Sequence, residues 1–332
     1  MTESRRDNRP EAVSSRRVVV TGAAGFVGSH LVDTLLARGD TVVGIDCFTS
    51  YYSAEVKRQN LEGALADDRF TLVEADLREA DLSTLFDGCD TVFHQAGQPG
   101  VRLSWSDGFP EYASHNVLAT QRLLEAAKEA EVRRVVYATS SSVYGNQDRY
   151  PTVETDVPRP YSPYGVTKLA GEHLTALYAE NWGVPTVALR YFTVFGPRQR
   201  PDMSIHRLCE AVLTGASFPR FGDGTQVREF TYVADIVAAN ILASEADVPP
   251  GTIANIAGGG EVTLNELIAT VGDLAGAQVV VEDYPPEAGD AKRNGGSTER
   301  AHTLLGWSPR VGLREGIDAQ LAWHRDRRQV RR

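Results

Sequence analysis

The chain has 332 residues, of which 42% are hydrophobic and 23% charged, and its formal net charge at pH 7 is −10. This composition is ordinary for a globular protein of one large domain or two coupled ones, and the acidic balance disfavours binding to nucleic acid. No apolar run approaches the roughly 20 residues that cross a bilayer, so we expect no membrane contact, and the scattered cysteines Cys47, Cys89 and Cys209 predict free thiols in a reducing compartment, the cytoplasm.

The first half of the chain alternates strand and helix patterns. Residues 1–15 are polar and lack the apolar core of a secretory signal, so we expect a disordered lead-in. The β-branched run Arg17–Thr21 predicts a strand buried on both faces, and Phe26–Arg38 predicts a helix with Gly39 at its C-terminal cap. Further strands are predicted at Thr41–Asp46, Phe70–Glu74, Thr91–His94, Arg134–Thr139 and Thr186–Tyr191, and two long helices at Asn116–Glu131 and Pro163–Asn181.

The regular alternation is lost after about Gly196, where Pro, Gly and Arg become frequent. Val233–Ala243 is helical in pattern, and Gly251–Ile256 is suited to return a strand to the main sheet. Thr263–Ala275 is helical again, and its first residue forms a capping pattern with Glu266.

These patterns indicate an α/β fold with a Rossmann-like, doubly wound parallel sheet. We expect the Rossmann domain to span residues 16–195, with return segments near 230–258. A smaller C-terminal α/β part, residues 196–325, is expected to close over the carboxyl edge of the sheet, where ligands of such folds bind. The arginine-rich segment after Trp323 is expected to be a solvated end.

A glycine-rich turn joins the first predicted strand to the first helix. Gly22, Gly25 and Gly28 permit a tight turn and close approach of a pyrophosphate, and Phe26 and Val27 open a helix whose N-terminus offers N–H donors. The spacing is GxxGxxG rather than GxGxxG. Because a plain strand-to-helix turn can carry the same glycines, the motif needs a second feature to indicate a cofactor.

Carboxylates at the ends of later strands supply that feature. Asp46 ends the second strand, where its carboxylate can accept hydrogen bonds from both ribose hydroxyls of an adenosine and would repel a 2′-phosphate. Together with the glycines it predicts NAD rather than NADP. Asp76 and Leu77 end another strand and are expected to contact the adenine.

Tyr164 and Lys168 are four residues apart at the start of the second long helix, so they share one helix face. Ser162 suits the N-cap of this helix and Pro163 its first position. A phenol is a poor base near its ordinary pKa of about 10, but a nearby ammonium and the helix N-terminus favour the phenolate. The pair therefore predicts a general base, although a surface tyrosine beside a solvated lysine has the same spacing.

Hydroxyl groups follow the predicted strand Arg134–Thr139. Ser140, Ser141 and Ser142 are suited to hold a substrate hydroxyl or a keto oxygen, or else to make turn bonds at a polar strand end. The seven histidines show no spacing typical of metal ligands, so we expect no metal.

At this point the sequence resembles the extended short-chain dehydrogenase/reductases, and among them the UDP-glucuronate 4-epimerases. The likeness covers nearly the whole chain, from Arg17 to about Leu313. It rests on the combination of Thr21–Gly28, Gln98–Arg102, Ser142–Gly145, Tyr164 with Lys168, Arg190–Met203 and Phe221–Phe230.

The resemblance implies NAD as cofactor, a UDP-sugar as substrate and a catalytic triad of Tyr164, Lys168 and Ser140. Asn116 would support Lys168 from the neighbouring helix, and the other two serines would surround the sugar. Thr193 would face the hexuronate. Ala96, Gly97 and Tyr191 would contact the cofactor. On the substrate side, Arg200 would pair with the sugar carboxylate, Arg228 would hold the diphosphate and Asp290 the uridine ribose, and Arg102 would also bind the substrate.

Four positions differ from the family pattern. His94–Gly97 reads His-Gln-Ala-Gly where the family has His-Leu-Ala-Ala, so Gln95 is expected to alter contacts near the nicotinamide. Ala234 stands where the family often has Asp, and Glu287 where some relatives have a diphosphate-binding Arg.

The reaction that the resemblance implies is 4-epimerisation of a UDP-hexose, UDP-glucuronate to UDP-galacturonate, by transient oxidation at C4 in a homodimer that forms through two long helices. A 4,6-dehydratase would carry an Asp-Glu pair after Thr139 and a UDP-xylose-forming decarboxylase a Glu, whereas this chain has three serines. A non-catalytic nucleotide-sugar-binding protein and a reductase of a non-sugar ketone are further alternatives, which the Tyr164–Lys168 pair and Asp46 respectively disfavour.

Overall fold

A computed structural model describes residues 15–258, 260–286 and 291–330. The lead-in expected over residues 1–15 lies, apart from Ser15, outside the described residues. The strands are β1 Arg17–Thr21, β2 Thr41–Asp46, β3 Phe70–Glu74, β4 Thr91–His94, β5 Arg134–Ser140, β6 Thr186–Tyr191, β7 Thr193–Phe195, β8 Ser217–Phe221, β9 Val227–Tyr232, β10 Thr252–Ile256, β11 Glu261–Thr263 and β12 Val280–Tyr284.

The helices flank these strands in chain order. They are α1 Phe26–Ala37, α2 Ala54–Asn60, α3 Glu62–Leu65, α4 Leu82–Phe86, α5 Phe109–Ala113, α6 Ala119–Glu129, α7 Pro163–Trp182, α8 Ser204–Thr214, α9 Val233–Glu245, α10 Leu264–Ala275, α11 Glu299–Leu305 and α12 Leu313–Val330.

A seven-stranded parallel sheet forms the centre of the fold, in the order β10-β6-β5-β4-β1-β2-β3. The predicted Rossmann-like, doubly wound sheet is confirmed. The strand order reverses beside β1, and ligands of such sheets bind outside the carboxyl ends at this switch point.

Both faces of the sheet are covered by apolar side chains. In β1, Val18 and Val20 pack into one core cluster and Val19 into another, because successive side chains of a strand point to opposite faces. All three are fully buried. A third cluster, which includes Leu208 and Leu321, lies in the C-terminal part. This arrangement explains why the first strands read as continuous apolar runs.

The C-terminal segments return to the sheet as the sequence predicted. β10 pairs in parallel with β6 at the edge of the main sheet. The capping pair at the start of α10 is confirmed, since the Glu266 N–H donates to the Thr263 hydroxyl at 3.1 Å and the Thr263 N–H donates to the Glu266 carboxylate at 2.8 Å. Two small sheets, β11-β9-β7 and β12-β8, complete this part.

The helix predicted at Asn116–Glu131 begins earlier than the apolar pattern indicated. The chain turns helical at Phe109, with Pro110 in the first turn, and passes through a π-helical segment, Ser114–Leu118, before α6. A π-helical segment adds a residue to the turn and shifts the apolar period, so a search for a 3.6-residue repeat misses the first part. The segment carries Asn116, which is buried.

The expectation of a solvated end after Trp323 is wrong. Helix α12 continues to Val330, and His324 is only 2% exposed. The guanidinium of Arg328 donates to Glu210 at 3.0 Å, and Arg327 donates to Gln59 at 2.5 Å. The arginines cover the outer face of a helix whose inner face is packed, which composition alone does not reveal. Within the described part of the chain, no helix has the length and apolar character needed to span a membrane.

Glu229, on β9 in the C-terminal part, is a buried carboxyl group. The residue is 8% exposed, and its carboxylate accepts the Gly296 N–H at 2.8 Å. Burial raises the pKa of this carboxyl from its ordinary value of 4.5 to about 7. The native state therefore binds more protons than the unfolded state between these two values, and stability is lost as the pH rises through this window.

We expect Glu229→Gln to stabilise the protein by about 2 kcal/mol at pH 8 and by little at pH 5, because the amide keeps the acceptor oxygen but carries no charge. Urea unfolding at both pH values measures the difference. The control is Glu79→Gln, which replaces an exposed carboxylate. An equal effect of Glu229→Gln at pH 5 and pH 8 would contradict this explanation.

Candidate active site

A cavity of about 800 Å³ opens at the carboxyl edge of the main sheet, where the C-terminal part covers it. Among the described residues predicted for the site, every one except Asn116 lines this cavity. Asp290, predicted at the uridine ribose, and Glu287 lie outside the described residues. The fold therefore brings together residues from the end of β1 to β9 that are far apart in the sequence.

The glycine-rich turn forms a close-packed cradle at one end of the cavity. Gly22 has a φ of 66°, and a Cβ there would lie 2.9 Å from the backbone of Ala96. A Cβ on Gly28 would lie 2.1 Å from the carbonyl oxygen of Gly22. Helix α1 begins at Phe26 without a side-chain cap or an acidic residue in its first turn. Its free N–H groups and positive dipole fit the diphosphate of a dinucleotide.

Asp46 and Asp76 lie at the far end of this cradle. The Asp46 carboxylate accepts the N–H groups of Ala24 at 3.1 Å and Phe48 at 2.8 Å, so its position is fixed against the glycine turn. Asp76 accepts both arms of the Arg78 guanidinium, and this pairing lowers its pKa. Asp46 also lies 3.7 Å from the Lys57 ammonium, so both carboxylates have a cationic neighbour. Asp46, fixed against the glycine turn, is the one placed for a ribose.

Helix α7 positions the two predicted catalytic side chains. The Ser162 hydroxyl caps the helix by accepting the Gly165 N–H at 3.1 Å, and Pro163 occupies its first turn, as predicted. The Lys168 ammonium donates to the carbonyl oxygen of Ala138, on β5, at 2.9 Å. The helix is thus joined to the end of β5, and Tyr164 faces the same cavity one turn earlier.

Burial acts on the ionisation of both members of this pair. Burial raises the pKa of the Tyr164 phenol, while hydrogen bonding to Ser140 and the charge of Arg200 act in the opposite direction. Burial also lowers the pKa of Lys168 to about 8, against the charge of Glu172. Arg200, from the loop after β7, is therefore a cation that favours the phenolate.

A buried polar network lies beneath α7. Glu172, one turn after Lys168, accepts both arms of Arg190 at 3.0 and 2.7 Å and the Thr139 hydroxyl at 2.7 Å. Arg190 also donates to the Tyr144 hydroxyl at 2.7 Å. Glu172 and Arg190 are each 2% exposed. Glu172 cannot be recognised as a site residue from the sequence, because a single carboxylate within a helix does not reveal its partner on a strand.

The three serines form a short turn after β5. The Ser140 hydroxyl accepts the Ser142 N–H at 3.1 Å and begins a 3₁₀ turn over Ser141–Val143. Ser140, Ser141 and Ser142 all line the cavity. The hydroxyls therefore make a turn bond and face the cavity as well, so the two interpretations of this segment are compatible.

The hydrogen bonds of the Asn116 side chain go to Gln98 and Thr167, so its proposed support of Lys168 is indirect. Its side chain accepts the Gln98 N–H at 2.7 Å and donates to the Gln98 carbonyl oxygen at 3.0 Å. It also donates at 3.0 Å to the hydroxyl of Thr167, the residue before Lys168. The π-helical segment thus fixes the cavity loop that begins at Gly97.

Cationic side chains occupy the other end of the cavity. The Arg200 guanidinium is bidentate to Asp202, at 3.0 and 2.9 Å. Arg102 lies over the ring of Phe221 at 4.3 Å, and Arg228 extends from β9 into the same region. An anionic group, such as a diphosphate or a carboxylate, is the chemistry that this end suits.

Gln95 and Ala234, which differ from the family pattern, lie in different surroundings. Gln95 donates to Asn240 at 2.9 Å and accepts the hydroxyl of Tyr191 at 3.1 Å, so it fixes a tyrosine that lines the cavity. Ala234 is exposed. The neighbouring Asp235 is buried and accepts backbone N–H groups of the segment before α12. Although residue 234 is Ala and not Asp, the contact between Asp235 and the segment before α12 is present.

Comparisons with known proteins give consistent matches. A sequence profile of the NAD dependent epimerase/dehydratase family matches residues 18–257. The chain is 39% identical to an uncharacterized UDP-glucose epimerase of Bacillus subtilis, over 92% of this chain and 97% of that protein. It is 32% identical to the UDP-glucuronate 4-epimerase of Thermodesulfobacterium geofontis, over 93% and 96%. The crystal structure of UDP-glucuronic acid 4-epimerase from Bacillus cereus, in complex with UDP-glucuronic acid and NAD, superposes with a TM-score of 0.91 at 39% identity, covering 93% of this chain and 99% of that one.

We expect Glu172→Gln to destabilise the protein by about 3 kcal/mol, because Arg190 is left as a buried charge without its partner. The matched control is Glu74→Gln, which removes a bidentate carboxylate from the exposed Arg58 and is expected to have a much smaller effect. Chemical denaturation of both variants measures the difference. Similar losses for the two would mean that the pair beneath α7 is not a structural requirement.

Proposed function

Since the chain belongs to the NAD dependent epimerase/dehydratase family, we propose that it inverts C4 of a UDP-hexose and converts UDP-glucuronate to UDP-galacturonate. It is an isomerase that uses NAD. The observation that carries the proposal is the convergence of Tyr164, three serines and Arg200 on one cavity, beside the cradle for a dinucleotide. A base, hydroxyl donors and a cation for a carboxylate are the groups that this reaction requires.

The cofactor site is proposed from the cradle described above. NAD supplies a hydride acceptor that returns the hydride in the second half of the reaction. The uncapped start of α1 binds the diphosphate, and Asp46 accepts the ribose hydroxyls. Lys168 bonds the second ribose. The other residues proposed to line the bound cofactor are Gly22, Gly25, Phe26, Val27, Gly28, Asp76, Leu77, Ala96, Gly97, Asn116 through Gln98, and Tyr191.

Tyr164 moves the proton of the reaction. Its phenolate takes the proton of the C4 hydroxyl as the hydride leaves C4, which gives a 4-keto sugar, and the phenol returns that proton when hydride arrives on the opposite face. Because burial opposes the phenolate, Ser140 and Arg200 have to stabilise it. The bound sugar lies between Tyr164 and the serines, so the same groups serve both half-reactions.

The substrate side of the cavity is proposed to hold the nucleotide and the sugar separately. Arg228 and Arg102 bind the diphosphate, with Asp290 at the uridine ribose. Thr193, Ser141 and Ser142 surround the hexose, and Arg200 meets its carboxylate. Residues 16–195, with the returns near 230–258, are proposed to hold NAD and also to contribute Arg102, the serines and Thr193 to the UDP-sugar. Residues 196–325 mainly hold the UDP-sugar.

Three serines after β5 distinguish epimerisation from related reactions. A dehydratase requires an acid and a base at this point to remove water, and Ser140–Ser142 offers neither. A 4-keto-glucuronate is a β-keto acid that loses CO₂ when its carboxylate bond stands perpendicular to the carbonyl plane. Arg200, with Thr193, holds the carboxylate away from that orientation. The keto intermediate is therefore returned to a hexuronate.

UDP-glucose is the second candidate substrate. The charge of Arg200 is compensated by Asp202 at 2.9 Å, so a neutral hydroxymethyl group could lie beside it without leaving a lone buried cation. The relative from Bacillus subtilis carries the name of a UDP-glucose epimerase. Assays with both nucleotide sugars separate the two candidates.

Incubation of the purified protein with UDP-glucuronate and NAD, followed by proton NMR of the product, tests the function. The H4 coupling of UDP-galacturonate is the expected result. UDP-xylose or an unsaturated sugar would contradict epimerisation.

We expect Tyr164→Phe to lower kcat by a factor of roughly 10² to 10⁴, the usual contribution of a general acid–base group. The control is Tyr178→Phe, on the same helix, whose hydroxyl bonds Gln121 and Glu125 instead of facing the cavity. Initial rates with UDP-glucuronate measure both. Equal rates for Tyr164→Phe and the wild type would remove Tyr164 from the mechanism.

We also infer a homodimer in the cytoplasm. Helices α6 and α7 contact each other, and large apolar side chains are exposed beside them: Val166 by 51% and Leu177 by 55% on α7, and Leu118 by 50% just before α6. A second copy of this chain, related by a twofold axis, would bury these side chains against their own equivalents. A reducing compartment that supplies NAD suits the three cysteines, which are free.

We expect Leu177→Glu to give a monomer, because the interface would bury two carboxylates close together. Light scattering after gel filtration measures the mass. Leu65→Glu, at a similarly exposed leucine on α3, is expected to leave the dimer intact. A dimer for both variants would exclude this face as the interface.

A further inference from the structure

Asp202 pairs with the guanidinium of Arg200, the group that is proposed to bind the substrate carboxylate. The Nε and Nη2 atoms of Arg200 donate to the two carboxylate oxygens at 3.0 and 2.9 Å, in the parallel geometry of a bidentate pair. The hydroxyl of Tyr51 donates to the same carboxylate at 3.2 Å, and the Arg200 guanidinium lies 5.7 Å from the centre of the Tyr51 ring. The Asp202 carboxylate is thus held in place by two side chains.

The pair lies at the reacting end of the cavity. Arg200, Asp202, Tyr51 and Tyr164 all line it, and the charge of Arg200 acts on the Tyr164 phenol. The Arg200 side chain is 21% exposed, so its charge is only partly solvated. An anion that approaches this end meets a guanidinium with its preferred edge filled and a carboxylate of its own sign beside it.

We propose that Asp202 is a specificity-determining residue that competes with the substrate carboxylate for Arg200 and so permits a neutral hexose in the same site. The inference rests on the proposed function. A hexuronate has to displace Asp202 from the Nε–Nη2 edge or accept the remaining Nη1 edge, next to a like charge. A neutral hexose leaves the pair intact, and no unpaired guanidinium remains beside it.

Asp202 therefore lowers the selectivity of the site for a hexuronate over a neutral hexose. Without the negative charge of Asp202, Arg200 carries an uncompensated positive charge and a free bidentate edge, so a hexuronate gains a charge-assisted pair. A neutral hexose then has to lie against a poorly solvated cation. Removal of the carboxylate is thus expected to strengthen the binding of one substrate and weaken that of the other.

The test measures dissociation constants of UDP-glucuronate and UDP-glucose by calorimetry, on NAD-loaded protein in which Tyr164→Phe slows turnover. With Asp202→Asn added, we expect the ratio of the two constants to shift about tenfold toward UDP-glucuronate. Tyr51→Phe, which frees Asp202 from one donor but keeps its charge, is expected to shift the ratio less and in the same direction.

The matched control is Asp67→Asn. Asp67 and Arg69 form a bidentate pair with the same two-residue spacing on the surface, at 3.0 and 2.6 Å, and neither lines the cavity. This control is expected to leave the ratio unchanged. An unchanged ratio in Asp202→Asn, or weaker binding of UDP-glucuronate, would overturn the proposal, since the second result makes Asp202 a support for Arg200. If the protein without any change at Asp202 binds neither nucleotide sugar, the proposed function fails and this inference fails with it.

Discussion

The burial of one face of helix α7 against the carboxyl edge of the sheet is the constraint on which the site depends. Lys168 reaches the Ala138 carbonyl oxygen at 2.9 Å, and Glu172, one turn later, pairs with Arg190 from β6. These contacts fix the rotation of the helix about its axis. Tyr164 must then face the cavity, because it lies on the same side of the helix one turn before Lys168.

Burial has an electrostatic consequence that the rest of the site has to offset. It favours the neutral form of both ionisable groups, so it raises the pKa of Tyr164 and lowers that of Lys168 to about 8. Arg200 and Ser140 favour the phenolate. Arg200 therefore has two proposed tasks, since it supports the base and meets the carboxylate of a hexuronate, and Asp202 limits how strongly it can perform either.

Much of the fold follows from local patterns in the sequence. The β-branched runs are strands because the sheet is covered on both faces, and Ser162 with Pro163 marks the start of α7 because the capping chemistry is local. The start of the helix at Phe109 was missed because a π-helical segment breaks the apolar period, and the packed end of α12 was missed because arginines hide its buried face.

The site was predicted less completely than the fold for a physical reason. The glycine turn, Asp46 and the Tyr164–Lys168 pair are motifs of neighbouring residues, so their spacing is visible in the sequence. The partners that tune them come from other elements: Arg190 from β6 pairs with Glu172, and the charge of Arg200, from the loop after β7, acts on Tyr164. Sequence spacing contains no information about such distances.

Turnover of UDP-glucuronate that carries deuterium at C4 tests the central claim most directly. If the C4 hydride leaves and returns within one closed site while Tyr164 moves only the hydroxyl proton, the product retains the deuterium at C4 and forms more slowly than from the protiated sugar. Replacement of the deuterium by hydrogen from solvent would show that C4 is inverted by proton exchange, and would contradict the account.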